Sequence, residues 1–228
     1  MGRISKKNSL IMNDLLFDYF NIPLPKFNEN KDALKLKFSE IPFGALFKNY
    51  FIQNGVLHRE DGPAVVWYDN SEDWYLNGER HRIGAPAVFR ANGRQEYWEH
   101  GKLNRIGGPA VIYPDGRKEY YRNGSLHRDD GPAVESPLVK EYYIFNRLHN
   151  HKGPAVEWAD GTVEFWVAGK RHNPDGPAIK WADGTLEWYL NGELDRKDGP
   201  AIIEPDGTEL FFRKGKQVDP AAAIKIGR

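Results

Sequence analysis

Phe165-Trp166-Val167-Ala168-Gly169-Lys170-Arg171-His172-Asn173-Pro174-Asp175-Gly176-Pro177-Ala178-Ile179-Lys180-Trp181-Ala182-Asp183-Gly184 is one copy of a unit that recurs along the chain, and its reading decides the fold. The most regular mark is Pro-Ala, at Pro63, Pro86, Pro109, Pro132, Pro154, Pro177 and Pro200, with every interval 23 residues except one of 22. A unit this short cannot enclose a core by itself and gains stability by stacking on its neighbours. Function is therefore to be sought on a repetitive surface.

Turn chemistry sets the class of that unit. Asn92-Gly93, Asp115-Gly116, Asp160-Gly161, Asp183-Gly184 and Asp206-Gly207, with Asp69-Asn70 in the first copy, sit between short β-prone runs. Such pairs are strong hairpin signals, and period-two alternation opposes helix. Taken as two-residue turns, they place Trp158 opposite Val163, Glu157 opposite Glu164 and Val156 opposite Phe165. In that register the valine and isoleucine column (Val65, Val88, Val111, Val134, Val156, Ile179, Ile202) shares a buried face with Trp74, Tyr97, Tyr120, Tyr142, Phe165, Trp188 and Phe211. The other face then carries the acids Asp73, Glu96, Glu119, Glu141, Glu164 and Glu187 beside Tyr75, Trp98, Tyr121, Tyr143, Trp166, Tyr189 and Phe212.

The expected fold is all-β: tandem hairpin repeats forming an elongated, twisted antiparallel sheet of about 14 strands, roughly 65 Å along the stack, with a short N-terminal helix and end caps. The longer connection after each Asn-Gly, with Leu57, Leu103, Leu126, Leu148 and Leu194, is expected to cover the apolar face. The chain divides into an N-terminal cap over 1–49, a seven-repeat array over 50–212 and a C-terminal cap over 213–228. Within the first cap, residues 9–20 have helical spacing and 33–38 alternate like a strand. Caps of this kind hide an apolar end and block an edge strand.

Tyr-x-Asn-Gly, a Gly-bearing connection, a short strand and Asp-Gly at a 23-residue period resemble the MORN repeat, and especially the MORN-variant repeats of bacterial, phage and giant-virus proteins that are antitoxin-like. The resemblance covers about 165 of 228 residues, with His-Arg-x-Asp-Gly-Pro-Ala standing where MORN units usually carry His-Gly-x-Gly. It implies protein scaffolding or contact with membrane lipid.

Composition narrows the classes. With 32 basic and 32 acidic residues the chain has no net field to draw in nucleic acid, and an acidic face would repel phosphate. No run reaches the roughly 20 apolar residues of a membrane span, and Met1 to Lys7 lacks a following apolar stretch. A soluble, cytoplasmic protein is expected. The absence of cysteine excludes disulfides and thiolate metal sites.

Three rows are candidate sites. His58, His81, His127, His149 and His172 occupy equivalent places, replaced by Asn104 and Asp195. Neighbouring copies about 9–10 Å apart are too distant to share one zinc ion, so a loop brace is the expectation; His149 with His151 is discounted as a metal pair for lack of an accompanying carboxylate. Arg59, Arg82, Arg105, Arg128 and Arg196 follow, and a loop brace is the expectation for the row as a whole; Gly84 and Gly107 remove the acid found after the others, which makes Arg82 and Arg105 the candidate anion-binding residues. The third row is the candidate partner-binding strip: Tyr75, Trp98, Tyr121, Tyr143, Trp166 and Tyr189 with Glu96, Glu119, Glu164 and Glu187, suited to a basic protein segment. There is no phosphate loop, nucleophile elbow or metal signature, so no catalytic residue, metal or cofactor is assigned. The expected function is a non-enzymatic protein-binding or scaffold protein, an antitoxin-like or phage-encoded inhibitor in the version the resemblance implies. The runner-up is anion or phospholipid binding through the arginine row, and an open sheet end offers a route to a homodimer. The irregular stretch from Pro137 to Lys152 is expected to form a distinctive part of the partner surface.

Overall fold

The computed structural model describes residues 47–220. The expected helix over 9–20, the strand over 33–38 and the end of the C-terminal cap lie outside these residues. Contacts group the chain into two units, one ending at Leu103 and the other beginning at Asn104. Among residues 47–217 every regular element is a β-strand.

In the first unit Phe47–Tyr50, Val65–Trp67, Glu72–Asp73, Val88–Phe89 and Gln95–Glu96 pair antiparallel in chain order. The second unit continues the pattern through Val111–Ile112, Lys118–Glu119, Val134–Glu135, Val139–Glu141, Val156–Trp158, Val163–Glu164, Ile179–Lys180, Leu186–Glu187, Ile202–Ile203 and Glu209–Leu210. The expected array of consecutive antiparallel hairpins is thus what the chain forms.

The register differs from expectation by one residue. Val156 lies opposite Glu164 and Glu157 opposite Val163. At the turn, Gly161 N donates to Trp158 O at 3.1 Å and Trp158 N to Thr162 O at 2.9 Å, so three residues rather than two make the loop. Only the glycine has positive φ (96° at Gly161), which is a type I turn closed by a left-handed residue. The Asp side chain selects it: Asp160 Oδ1 accepts the Thr162 N–H at 2.8 Å, as Asp183 does from Thr185 and Asp206 from Thr208. A one-residue slip exchanges faces, so the valines share their face with the acids and the alanines share theirs with Trp74, Tyr120 and Phe165.

The true two-residue turns are the Asn-Gly pairs after the second aromatic. Asn77, Asn123 and Asn191 have φ of 52°, 49° and 54°, and the glycines that follow are also positive. They close two-stranded hairpins in which Tyr75 faces Arg80, Tyr121 faces Leu126 and Tyr189 faces Leu194. The expected covering connection is therefore itself a hairpin. It folds toward the valine side, since Arg171 reaches Glu164 at 3.2 Å and Arg80 reaches Asp73 at 3.3 Å. The loop running to Gly-Pro-Ala covers the opposite side. With both faces covered, every repeat alanine from Ala64 to Ala201 is 0% exposed and the valine and isoleucine column from Val65 to Ile179 no more than 3%.

Candidate functional site

The acids lie inside, which corrects the expected open acidic strip. Asp73, Glu96, Glu119 and Glu164 are 0%, 6%, 6% and 8% exposed. A buried carboxylate requires donors, and the adjacent columns supply them. Asp73 accepts from Trp67 Nε1 at 2.6 Å and from Arg90 Nη1 at 2.7 Å. Glu96 accepts from Trp98 Nε1 at 2.7 Å and pairs with Arg94 at 2.8 Å. Glu119 takes the Tyr121 hydroxyl at 3.2 Å and Arg117 at 2.6 Å. Glu164 takes the indoles of Trp158 and Trp166, each at 3.1 Å, and Glu187 takes Trp181 Nε1 at 2.8 Å and the Tyr189 hydroxyl at 2.9 Å. Tyr75, Trp98, Tyr121, Tyr143, Trp166 and Tyr189 are all half-buried. Burial first, and the neighbouring carboxylate second, hold the Tyr121 hydroxyl well above its ordinary value, so it remains a donor. These rings and acids satisfy one another, leaving little polar capacity for a basic partner.

The arginine row is a brace as well. Arg82 stacks on Trp74 at 3.7 Å, Arg128 on Tyr120 at 4.0 Å and Arg196 on Trp188 at 3.8 Å. Each also donates to the repeat proline carbonyl, at 3.1 Å for Arg82 to Pro86, Arg105 to Pro109 and Arg196 to Pro200. This explains the glycine of Gly-Pro-Ala: a Cβ on Gly131 would stand 2.9 Å from Arg128 Cζ. Where asparagine replaces arginine, Asn150 and Asn173 make the same bond to Pro154 and Pro177 at 2.8 and 2.9 Å. Arg82 and Arg105, the expected anion ligands, are thus held against the fold, and they fall in separate units.

The histidine row braces the next hairpin. Nδ1 of His58, His81, His149 and His172 accepts the N–H of Asn77, His100, Ala168 and Asn191, at 3.0, 3.2, 3.0 and 3.3 Å. Asn104 Oδ1 does the same for Asn123 at 3.0 Å. His149 and His151 bring their Nε2 atoms to 2.8 Å. Because His149 Nδ1 is an acceptor, its neutral ring carries the proton on Nε2 and donates it to His151. A metal there would move that proton to Nδ1, against the Ala168 N–H. Burial first, then the repulsion that would arise between two protonated rings, lower the His149 pKa. Among the described residues no group of three or more His, Asp or Glu is placed to hold a metal ion.

The 22-residue interval leaves two groups out of the pattern. Its turn is Ser136-Pro137-Leu138-Val139, with Ser136 N bonded to Val139 O at 2.9 Å, so Pro137 stands in the turn rather than inside a strand. With Ser136 in the place of Trp158 and Trp181, Glu141 lacks the indole donor that Glu164 and Glu187 have, and burial raises its pKa above 4.5. Shortening also shifts the next hairpin relative to His127. That ring is 5% exposed, brings Nε2 to 3.0 Å from Asp129 Oδ1, and stacks on Phe145 at 4.2 Å rather than capping the next hairpin through Nδ1.

What the reading of the sequence missed is a row on the second hairpins. Phe145, Val167 and Leu190 are 56%, 40% and 47% exposed. Val167 and Leu190 fill equivalent places, with Ile144 in the copy before, while other copies hold Leu76, Glu99, Arg122 and Arg213 there. A position that accepts charge elsewhere does not need an apolar side chain to fold. The hairpins are tied together by Gly169 N to Leu148 O and Gly192 N to Arg171 O, each at 2.9 Å, which aligns the row. The signal was available as three successive apolar residues before the turn, but it was masked by assigning that segment to a connection.

No family model matches the chain, and no curated protein matches its sequence. Among the described residues no helix is long and apolar enough to cross a membrane.

Proposed function

We propose that this is a non-enzymatic, MORN-type binding protein that holds a protein partner, an antitoxin-like or phage-encoded inhibitor acting in the cytoplasm. The observation carrying this reading is the aligned row of Ile144, Phe145, Val167 and Leu190, apolar where the repeat itself tolerates charge. Contiguous exposed apolar side chains rimmed by polar ones favour association, and a few such anchors supply most of an interface's free energy. The absence of an enzymatic role is supported by the state of the carboxylates, which are committed as acceptors to Trp, Tyr and Arg. The arginine row has less to offer an anion, because each guanidinium gives an N–H to a proline carbonyl and those of Arg59, Arg82, Arg128 and Arg196 also lie over a ring.

The test is capture on immobilised protein compared with Phe145→Ser/Val167→Thr/Leu190→Ser. Loss of about tenfold or more of a captured protein, at an unchanged melting temperature, is the expected result. Capture that persists undiminished would remove the row from the interface. Flotation of the wild type with anionic liposomes, abolished by Arg82→Gln, would instead favour lipid.

A further inference from the structure

The surroundings of the apolar row at Ile144 and Val167 specify what it takes, whereas Leu190 faces Glu193 across its own hairpin. Residues 142–152 and 165–174, two successive outer hairpins and their exits, carry Arg147, Lys152, Lys170 and Arg171 with three histidines and no Asp or Glu, although the whole chain is charge-balanced. Arg171 is bound to Glu164. The side chains of Arg147 and Lys170 run over the turn glycines of the next hairpin: their Cγ atoms lie 3.9 and 3.8 Å from where a Cβ on Gly169 or Gly192 would be. The stems are therefore supported, and the cationic ends stand exposed beside Ile144 and Val167, their cross-strand partners. Between these hairpins an open groove of about 400 Å³ is lined by Ile144, Phe145, Arg147, His149, His151 and Ala168.

Spacing discriminates between shapes of ligand. Successive hairpins repeat every two strands, about 9.6 Å. A partner strand laid along the row presents side chains on one face every 6.6–6.8 Å or so and falls out of step. A helix presents residues i and i+7 about 10.5 Å apart on one face, in step with the row to within about 1 Å, with i+3 or i+4 between.

We propose that the face made by Ile144, Phe145, Val167 and Leu190 with Arg147 and Lys170 docks an acidic amphipathic helix of a partner protein. Its apolar side enters the groove beside Phe145 and follows Val167 and Leu190, and its carboxylates meet Arg147 and Lys170. This rests on the protein-binding reading and adds the chemistry of the partner. The charges set orientation and selectivity while the apolar contacts supply most of the affinity.

The test uses the full chain as bait against a displayed library of 18-residue helix-forming peptides with Leu at i, i+3, i+7 and i+10 and Glu or Lys varied at the flanking positions. Peptides rich in Glu should be enriched at least tenfold over those rich in Lys, and Arg147→Glu/Lys170→Glu should invert the preference. Both variants change exposed side chains, and circular dichroism melts confirm folding. Equal enrichment of the two classes, or a preference unmoved by the charge reversal, overturns the proposal. If Phe145→Ser/Val167→Thr/Leu190→Ser still abolishes partner capture, the binding row stands and only the acidic partner falls; if capture also persists, both fall. Concentration-dependent self-association lost in the same variants would assign the face to a second copy of the chain and equally overturn the acidic helix.

Discussion

Asp73→Ala should be among the most damaging single substitutions of the first unit. The carboxylate is 0% exposed and accepts from Trp67 Nε1 at 2.6 Å and from both Nη atoms of Arg90 at 2.7 and 3.1 Å, with Arg80 at 3.3 Å. Removing it leaves two guanidinium groups, each on a side chain only 11% exposed, without their counter-charge. Breaking a buried pair from one side costs about 3–5 kcal/mol. Because a repeat array opens locally, the readout is hydrogen exchange of amides in residues 64–90 rather than a global melt. At about 1.4 kcal/mol per decade, exchange should accelerate by roughly a hundredfold to a few thousandfold. Asp73→Asn keeps an acceptor for the indole and should fall between wild type and alanine. Glu187→Ala provides the contrast, since its partners are Trp181 and Tyr189 and it is half-exposed; about 0.5–1.5 kcal/mol is expected. Exchange in Asp73→Ala within threefold of wild type would refute the view that the acids are structural.

Gly131→Ala should destabilise by about 1–3 kcal/mol, since the new methyl meets Arg128 Cζ at 2.9 Å and displaces it from Tyr120. Gly153→Ala, where the nearest atom is Asn150 Nδ2 at 3.9 Å, should be neutral or stabilising by up to about 1 kcal/mol; urea melts compare them, and equal losses would contradict the brace. Glu141 has a folded pKa raised by burial, so the folded state binds more protons and stability falls as pH rises from near 4.5 through the raised value. Glu141→Gln should accordingly stabilise at pH 7 and have a smaller effect below pH 4.5, whereas destabilisation at pH 7 would show that the carboxylate has a partner.

The period, the hairpins and the buried valine column were legible because Gly, Pro and Asp mark turns through backbone geometry that the fold cannot override. The register was not. Asp-Gly satisfies a two-residue turn as well as the three-residue turn the chain adopts, and the choice falls to a single side-chain bond such as Thr162 N to Asp160 Oδ1. That one residue moved Glu96, Glu119 and Glu164 from an imagined open face to the interior. The His and Arg rows were expected as braces, with Arg82 and Arg105 also offered to an anion; in the structure the His row bonds to the next hairpin and the Arg row to the repeat proline carbonyls. The apolar row escaped because Phe145, Val167 and Leu190 lie in segments taken to be connections.

The shared face of the valines and acids is tested most directly by cysteine pairs, for which a chain without native cysteine is a clean background. Residues directly opposed across an antiparallel pair have Cα atoms about 4.5–5.5 Å apart, within disulfide range. Glu157→Cys/Val163→Cys should close a bond under mild oxidation, seen by mass spectrometry as a cross-linked peptide, while Glu157→Cys/Glu164→Cys should remain reduced. The reverse outcome, a bridge from 157 to 164 and none to 163, would restore the two-residue turn, return the acids to the open face and contradict the account.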